Sequence, residues 1–412
     1  MPATPTGGGG ANIRAMSQPA RAAALAALLL GSLATGLIAS RAQDYRLTDF
    51  DCLRGAAVLV LDGRDPYDPP TWAVATGLPA AADGEARRTS CLGRRFAYPL
   101  WTAVAMVPFA LLPYPATAAL WVALNAAAAL GGTLLALRAA EGPWRAAPLA
   151  IALVAASQPF AIVVMSGQID GLAAGLSGLA AWSLARRWDA RAGTALALAL
   201  LKPQLLAVTV PAVAAWAIAL RRPRALGALA LGGGVLLAVS LAARPGWIGP
   251  WLNETTGARL AIARLLPTAW GFADDLTGSA GWGALLAGAL VLTVARMALG
   301  RAGAAELIAL AAALSLVVTP HAWSYDHLAL APAWAMLLAR ASLATGGARA
   351  ALLATTVLVA SALPWLLYAV ALGRATETWS VLVPVCTALA LAASLAGTDP
   401  RGAVVRARTR PA

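Results

Sequence analysis

The sequence predicts an all-α integral membrane protein, and three observations carry that prediction. Of 412 residues, 60% are hydrophobic and only 12% are charged. Soluble domains carry roughly a quarter charged residues, so this chain has too little polar surface to cover itself in water. Its apolar runs are long, rich in Ala and Leu, and lack the alternation of a membrane barrel strand. Its arginines stand in short clusters between those runs, as in Arg186-Arg187, Arg221-Arg222-Arg224 and Arg401-Arg406-Arg408-Arg410, which is the pattern of cytoplasmic loops in an inner (plasma) membrane. The net charge of +13 therefore predicts no nucleic-acid partner, because the basic residues do not interleave with aromatics on one face.

The elements follow in order. Residues 1–19 are Gly- and Pro-rich and are expected to be a disordered cytoplasmic N-terminus. The run 20–40 is too long for a signal peptide and precedes many others, so it is read as the first transmembrane helix. Twelve further runs are 99–113, 116–137, 146–165, 170–185, 191–201, 204–220, 225–243, 281–298, 304–318, 326–339, 350–372 and 379–397. A crossing needs about 20 residues. The short runs 99–113 and 191–201 are read as half-helices, re-entrant pieces, or helices that stop where they line a cavity.

Both ends are basic and expected in the cytoplasm, which requires an even number of crossings; about twelve are expected over 20–397. Counting back from the basic tail 398–412 places 374–377 outside, Arg340 to Arg349 inside, and His321 to Asp326 outside. The same count puts Arg296 to Arg301 inside, 244–280 outside and the Arg221 cluster inside, in agreement with the positive-inside rule. In the first half two counts stay open. If 99–113 does not cross, Arg138, Arg145 and Arg186 fall inside and Gln168 outside; if 191–220 crosses once, Arg186 and Arg187 fall outside.

Two polar segments, 41–95 and 244–280, are expected as outer loops. In the first, apolar residues from Phe50 to Leu61 recur at helical spacing, predicting an amphipathic helix at the membrane surface that Gly63 ends. Thr48 is its expected N-cap, with Asp51 as a weak capping box. Asp49 and Asp51 then either serve the cap and the helix dipole or supply a general base beside the membrane. Cys52 and Cys91 share this segment, as a disulfide if it faces an oxidising compartment or as two inert thiols. Tyr98 enters the next run as an interfacial aromatic. Gly167-Gln168-Ile169-Asp170-Gly171 joins two runs, either as a plain turn or as hydrogen-bonding groups for sugar hydroxyls.

Lys202 is the only lysine, against thirty arginines, and it sits inside an apolar run ahead of Pro203. An ammonium in a membrane is functional by default, Pro203 frees backbone groups toward a cavity, and a compact cation suits a phosphate. Snorkelling to an interface is the alternative. The two histidines fall together in Thr319-Pro320-His321-Ala322-Trp323-Ser324-Tyr325-Asp326-His327. Two His and an Asp can bind zinc, but no further ligand stands nearby, and contacts to a phosphate or sugar suit them as well.

Five stretches in this order resemble glycosyltransferase family 87 of the GT-C superfamily, the polyprenyl-phosphate-mannose-dependent α-(1→2)-mannosyltransferases. They are Asp49 with Ala56-Ala57 and Gly63-Arg64-Asp65-Pro66-Tyr67-Asp68; Phe96-Ala97-Tyr98-Pro99-Leu100; Gly167-Gln168-Ile169-Asp170; Lys202-Pro203; and the Thr319 to His327 stretch. The departures are Leu100 for a second Pro, Asp170 for Asn and Asp326 for a histidine.

The resemblance implies a GT-C-like bundle performing an inverting transfer on the outer face. A sugar, mannose in the family, would pass from a polyprenyl phosphate to a lipid or glycan acceptor. It implies Asp49 as general base with Asp51 as second choice, and Lys202, His327 and His321 on the donor phosphate. Gln168, Asp170, Tyr98, Tyr67, Arg54 and Trp323 are expected against substrate, and no metal or other cofactor is expected. A transporter or flippase is the alternative from another class, since it too would hold a lysine and carboxylates within the membrane.

Overall fold

The computed structural model describes residues 18–42, 44–45, 48–76, 96–258 and 262–396. The expectations for residues 1–17, Cys91, Arg95 and the basic tail lie outside the described residues. Among the described residues the chain is helical, with no strand. The helices are α1 Gln18–Ala42, α2 Asp49–Leu61, α3 Pro69–Thr76, α4 Leu100–Ala110, α5 Tyr114–Ala139, α6 Ala147–Ala155 and α7 Gln158–Ser166. There follow α8 Asp170–Ala185, α9 Asp189–Ala199, α10 Thr209–Ala219, α11 Pro223–Ala243, α12 Ile248–Asn253 and α13 Ala269–Thr277. The last six are α14 Trp282–Ala298, α15 Ala304–Val318, α16 Ala331–Leu343, α17 Gly346–Val357, α18 Leu363–Arg374 and α19 Leu382–Ala396.

Four helices among the described residues are long and apolar enough to cross a membrane. These are α5, α11, the continuous stretch Gly346–Arg374 formed by α17 and α18, and Thr378–Ala396. A fifth is Trp144–Ala155 with Gln158–Ser166, bent by 60°. Most other apolar runs form helices too short for a full span, and identifiable residues cut them. Run 146–165, expected as one helix, breaks because Ser157 caps α7 by accepting the Phe160 N–H at 3.3 Å and Pro159 has no N–H to continue α6. The Trp365 indole satisfies the Ala156 carbonyl at that break, at 2.9 Å. Run 326–339 opens as a 3-10 segment, Ser324–Leu330, before α16.

The helix expected in the first outer loop is α2, and Gly63 follows it with φ +67. The capping box does not form. The Thr48 hydroxyl donates instead to the Tyr45 carbonyl at 2.9 Å, because the turn that brings Thr48 N–H to the same carbonyl places that oxygen closest. Phe50, Cys52, Leu53, Ala56, Ala57 and Leu59 are all buried, so α2 packs on more of its circumference than one apolar face. Cys52 is disulfide-bonded and Cys386 is a free thiol.

The core helices α5 and α8 approach closely along a stripe of glycines. A Cβ on Gly132 would lie 2.5 Å from the Gly175 Cα, and one on Gly178 would lie 2.2 Å from the Gly132 carbonyl oxygen. Without a hydrophobic drive between helices in lipid, such small residues let backbones pack directly. This contact fixes the start of α8, where the polar residues gather.

Candidate active site

Three backbone breaks build the site. The first is the turn Gly167–Ile169 between α7 and α8. Gly167 takes φ +66, a conformation open to glycine without steric cost, and ends α7. From α5, the Trp121 indole donates to the Gly167 carbonyl at 2.7 Å. Asn125 Oδ1, also on α5, accepts the Leu172 N–H at 3.1 Å. Gln168 and Asp170 are thereby held rigidly, each fully buried.

The second break follows α9. Pro203 starts a short 3-10 turn, Pro203–Leu206, and two nearby carbonyls are satisfied by side chains of α4. Trp101 donates to Leu200 O at 2.8 Å and Thr102 to Leu201 O at 2.7 Å. Lys202, 2% exposed, is left pointing into the bundle. The third break is the extended stretch after α15 and the 3-10 segment Ser324–Leu330. There the Asp326 carboxylate accepts the Trp323 N–H at 2.7 Å and fixes the turn.

These breaks converge. Lys202 Nζ lies 2.8 Å and 3.0 Å from the two oxygens of Asp170, 2.5 Å from Asp326 Oδ1 and 3.4 Å from Gln168 Oε1. It also sits over the Tyr325 ring at 4.8 Å and the Tyr98 ring at 5.9 Å. Tyr98 donates to Gln168 Oε1 at 2.9 Å, and Gln168 Nε2 donates to the Tyr325 hydroxyl at 3.2 Å. The Tyr325 hydroxyl lies in the electrostatic field of Asp49, Asp326 and Asp170, so the loop carboxylate at the start of α2 is within electrostatic range of the cluster. One ammonium faces two fully buried carboxyl groups, Asp170 and Asp326. Breaking such a pair is costly because it strands a buried charge.

The 3-10 segment presents successive residues on different sides, since it turns once every three residues. Tyr325 and Asp326 face Lys202. Ser324 and His327, three apart and so on one side, look elsewhere. Ser324 Oγ is 3.1 Å from Gln158 Nε2, at the break between α6 and α7, and the Ser324 N–H donates to Glu377 at 2.7 Å. Burial raises the Glu377 carboxyl above its ordinary range, the Ser324 hydrogen bonds oppose this, and the charge of Asp326 adds to it. His327 is fully buried, and neither ring nitrogen has a hydrogen-bond partner.

Seven groups thus share one site: Asp49, Tyr98, Gln168, Asp170, Lys202, Tyr325 and Asp326. His321 and Trp323 form its rim. They lie on one side of an extended stretch, partly exposed, with Ala322 buried between them, and Trp323 stacks on Tyr325 at 6.4 Å and 18°. Other expected site residues stand apart. Asp51 is two residues beyond Asp49, about 200° around the helix. Arg54 lies over the Tyr114 ring at 5.2 Å. Tyr67 donates to the Tyr98 carbonyl at 2.7 Å and is pushed upward in pKa by burial and then by Asp65. It supports Tyr98 from behind rather than facing the cluster.

Asp170 was expected against sugar hydroxyls, whereas both its oxygens meet Lys202. Sequence reasoning missed Tyr325 and Asp326 as site groups, although both lie in the His321–His327 stretch. It also missed Gln158, a polar side chain inside an apolar run, which the logic applied to Lys202 would have found.

A small apolar pocket of about 60 Å³ is lined by Leu53, Thr102, Met106, Phe109, Trp121 and, next in sequence to Gln168, Asp170 and Lys202, by Ile169 and Leu201. No curated protein and no solved structure matches the chain. A family model does match, over residues 96–323, a stretch that begins just before Tyr98 and ends at Trp323. That match covers more than half of the chain and contains Gln168, Asp170 and Lys202, so the protein belongs to glycosyltransferase family 87.

Proposed function

We propose that this membrane glycosyltransferase moves a hexosyl unit, mannose, from a polyprenyl-phosphate donor to a lipid or glycan acceptor on the outer face, with inversion. The observation that carries the reading is a buried polar cluster drawn from three distant segments, with Asp49 of the first loop within electrostatic range of its Tyr325. Asp49 acts as general base on the acceptor hydroxyl, and Asp51, turned away by the helix, is the weaker choice. The apolar pocket walls at Ile169 and Leu201 give a donor's lipid chain an apolar surface beside the cluster. Of the three groups expected on the donor phosphate, His321 is the best situated, because it is partly exposed at the rim. Lys202 is already neutralised by two carboxylates, and His327 is sealed. The finer architecture belongs to the same proposal: a GT-C-type bundle of about twelve crossings, the shorter helices meeting at the cavity, with both termini in the cytoplasm.

The test is transfer of mannose from polyprenyl-phosphate mannose by purified protein. Asp49→Asn is expected to lower kcat by about 10²–10⁴-fold, the contribution of a positioned general base. Retention of more than about a tenth of wild-type turnover sinks the assignment. Because a monophosphate donor can leave with protein groups alone assisting it, activity is expected to survive a chelator such as EDTA. Loss on chelation and recovery with a divalent cation would show a metal to be required.

A further inference from the structure

We infer that Tyr325 is a specificity-determining catalytic residue whose hydroxyl donates a hydrogen bond to one hydroxyl of the transferred sugar. This rests on the glycosyl-transfer reading above and goes further by assigning a sugar contact to a residue outside the expected set.

The direction of the hydrogen bonds carries the argument. Lys202 can only donate, and its Nζ lies 3.4 Å from Gln168 Oε1. The amide oxygen must therefore face Lys202, which settles an orientation that amide geometry alone would leave open. Tyr98 donates to the same oxygen at 2.9 Å. Gln168 Nε2 is then turned to the Tyr325 oxygen, to which it donates at 3.2 Å. With that lone pair occupied, the Tyr325 proton points away from Gln168, and among the described residues no acceptor takes it. The side chain is partly exposed, beside Asp49 and stacked on Trp323.

Charge identifies what the proton meets. Asp170 and Asp326 already engage the Lys202 ammonium, and Asp49 acts on Tyr325, so no cation on this side is left over for a phosphate. A neutral sugar hydroxyl needs none. A carboxylate beside the sugar, such as Asp49, favours the positive charge that develops at the anomeric centre in glycosyl transfer. The sugar therefore occupies the Tyr325 side of the site, and its phosphate lies toward the rim.

The test pairs Tyr325→Phe with a series of mono-deoxy analogues of polyprenyl-phosphate mannose, and separately with mono-deoxy acceptors. Phenylalanine keeps the ring that stacks on Trp323 and covers Lys202 but leaves the buried Gln168 Nε2 without its acceptor, so the variant is expected to fold with a modestly lower melting temperature. A site built around a substrate hydroxyl discriminates strongly against the analogue lacking it. The wild type should reject one deoxy donor by at least about tenfold in kcat/KM, and Tyr325→Phe should lose discrimination at that position alone, the signature of a coupled pair. Unchanged discrimination across the donor series, or coupling found only with deoxy acceptors, overturns the inference and leaves the glycosyl-transfer reading standing. A wild type that transfers no sugar from any polyprenyl-phosphate hexose overturns both.

Discussion

At the scale of single residues, the balance of charge around Lys202 decides which substitutions the protein tolerates. Removing the ammonium strands Asp170 and Asp326 together in a site with 0% exposure, and breaking a buried pair costs about 3–5 kcal/mol. Lys202→Met is therefore expected to lower thermal stability in detergent severely. Asp170→Asn should be much milder, because it leaves one ammonium facing one carboxylate and the asparagine can still accept from Nζ. A melting series in which Asp170→Asn is the more damaging of the two would refute this charge count. The lone lysine was legible in the sequence because an unpaired charge in an apolar run calls for an explanation. Its partners were harder to see, since a carboxylate at a helix start already has an ordinary role with the helix dipole. Only the fold brings Asp170 and Asp326 together across more than 150 residues of chain.

At the scale of elements, the contact between α5 and α8 sets the position of Gln168 and Asp170, and adjacent glycines on α5 test it. A Cβ at Gly132 would meet Gly175 Cα at 2.5 Å and the Ala174 carbonyl at 2.9 Å, both backbone atoms that cannot swing aside. A Cβ at Gly131 would meet only Leu28 Cδ2, at 3.9 Å. Gly132→Ala is expected to cost about 1–3 kcal/mol through overpacking and to lower activity by shifting the start of α8. Gly131→Ala should be neutral or stabilising by up to about 1 kcal/mol, since it removes glycine from a helix interior. Equal effects in a melting and activity comparison would show that the close approach does not matter. Helix type was readable from composition along nearly the whole chain, and so were the ends at Gly63 and Pro203. The break between α6 and α7 was not read, although Ser157 and Pro159 mark it, because the hydropathy of run 146–165 continues across it. The 3-10 segment 324–330 was likewise hidden, because its conformation is set by the Asp326 carboxylate and by Glu377 from a distant helix junction.

At the scale of the whole molecule, three of the helices that build the site hold it at one end and an arginine at the other. Helix α8 carries Asp170 at its start and Arg186 just past its end, about 24 Å apart at 1.5 Å per residue. Helix α15 runs from the Arg301 side to Thr319, and α16 runs from the Asp326–His327 turn to Arg340. In each case the site is at one end and an arginine at the other. Glu377 and Asp275 belong to the site end, linked to it through Ser324 and Thr378. Arginine-rich ends stay in the cytoplasm, so this polarity predicts an outward site, the side on which a disulfide at Cys52 also persists. Single cysteines report it directly once Cys386 is replaced by serine. Ser279→Cys, exposed beside the Asp275 helix, and Arg349→Cys, exposed at the start of α17, lie at opposite ends on this reading. An impermeant maleimide added to intact cells is expected to label the first and to reach the second only after permeabilisation. The reverse pattern would put the site in the cytoplasm, where water-soluble nucleotide sugars are available and the case for a lipid-carried donor loses its physical reason.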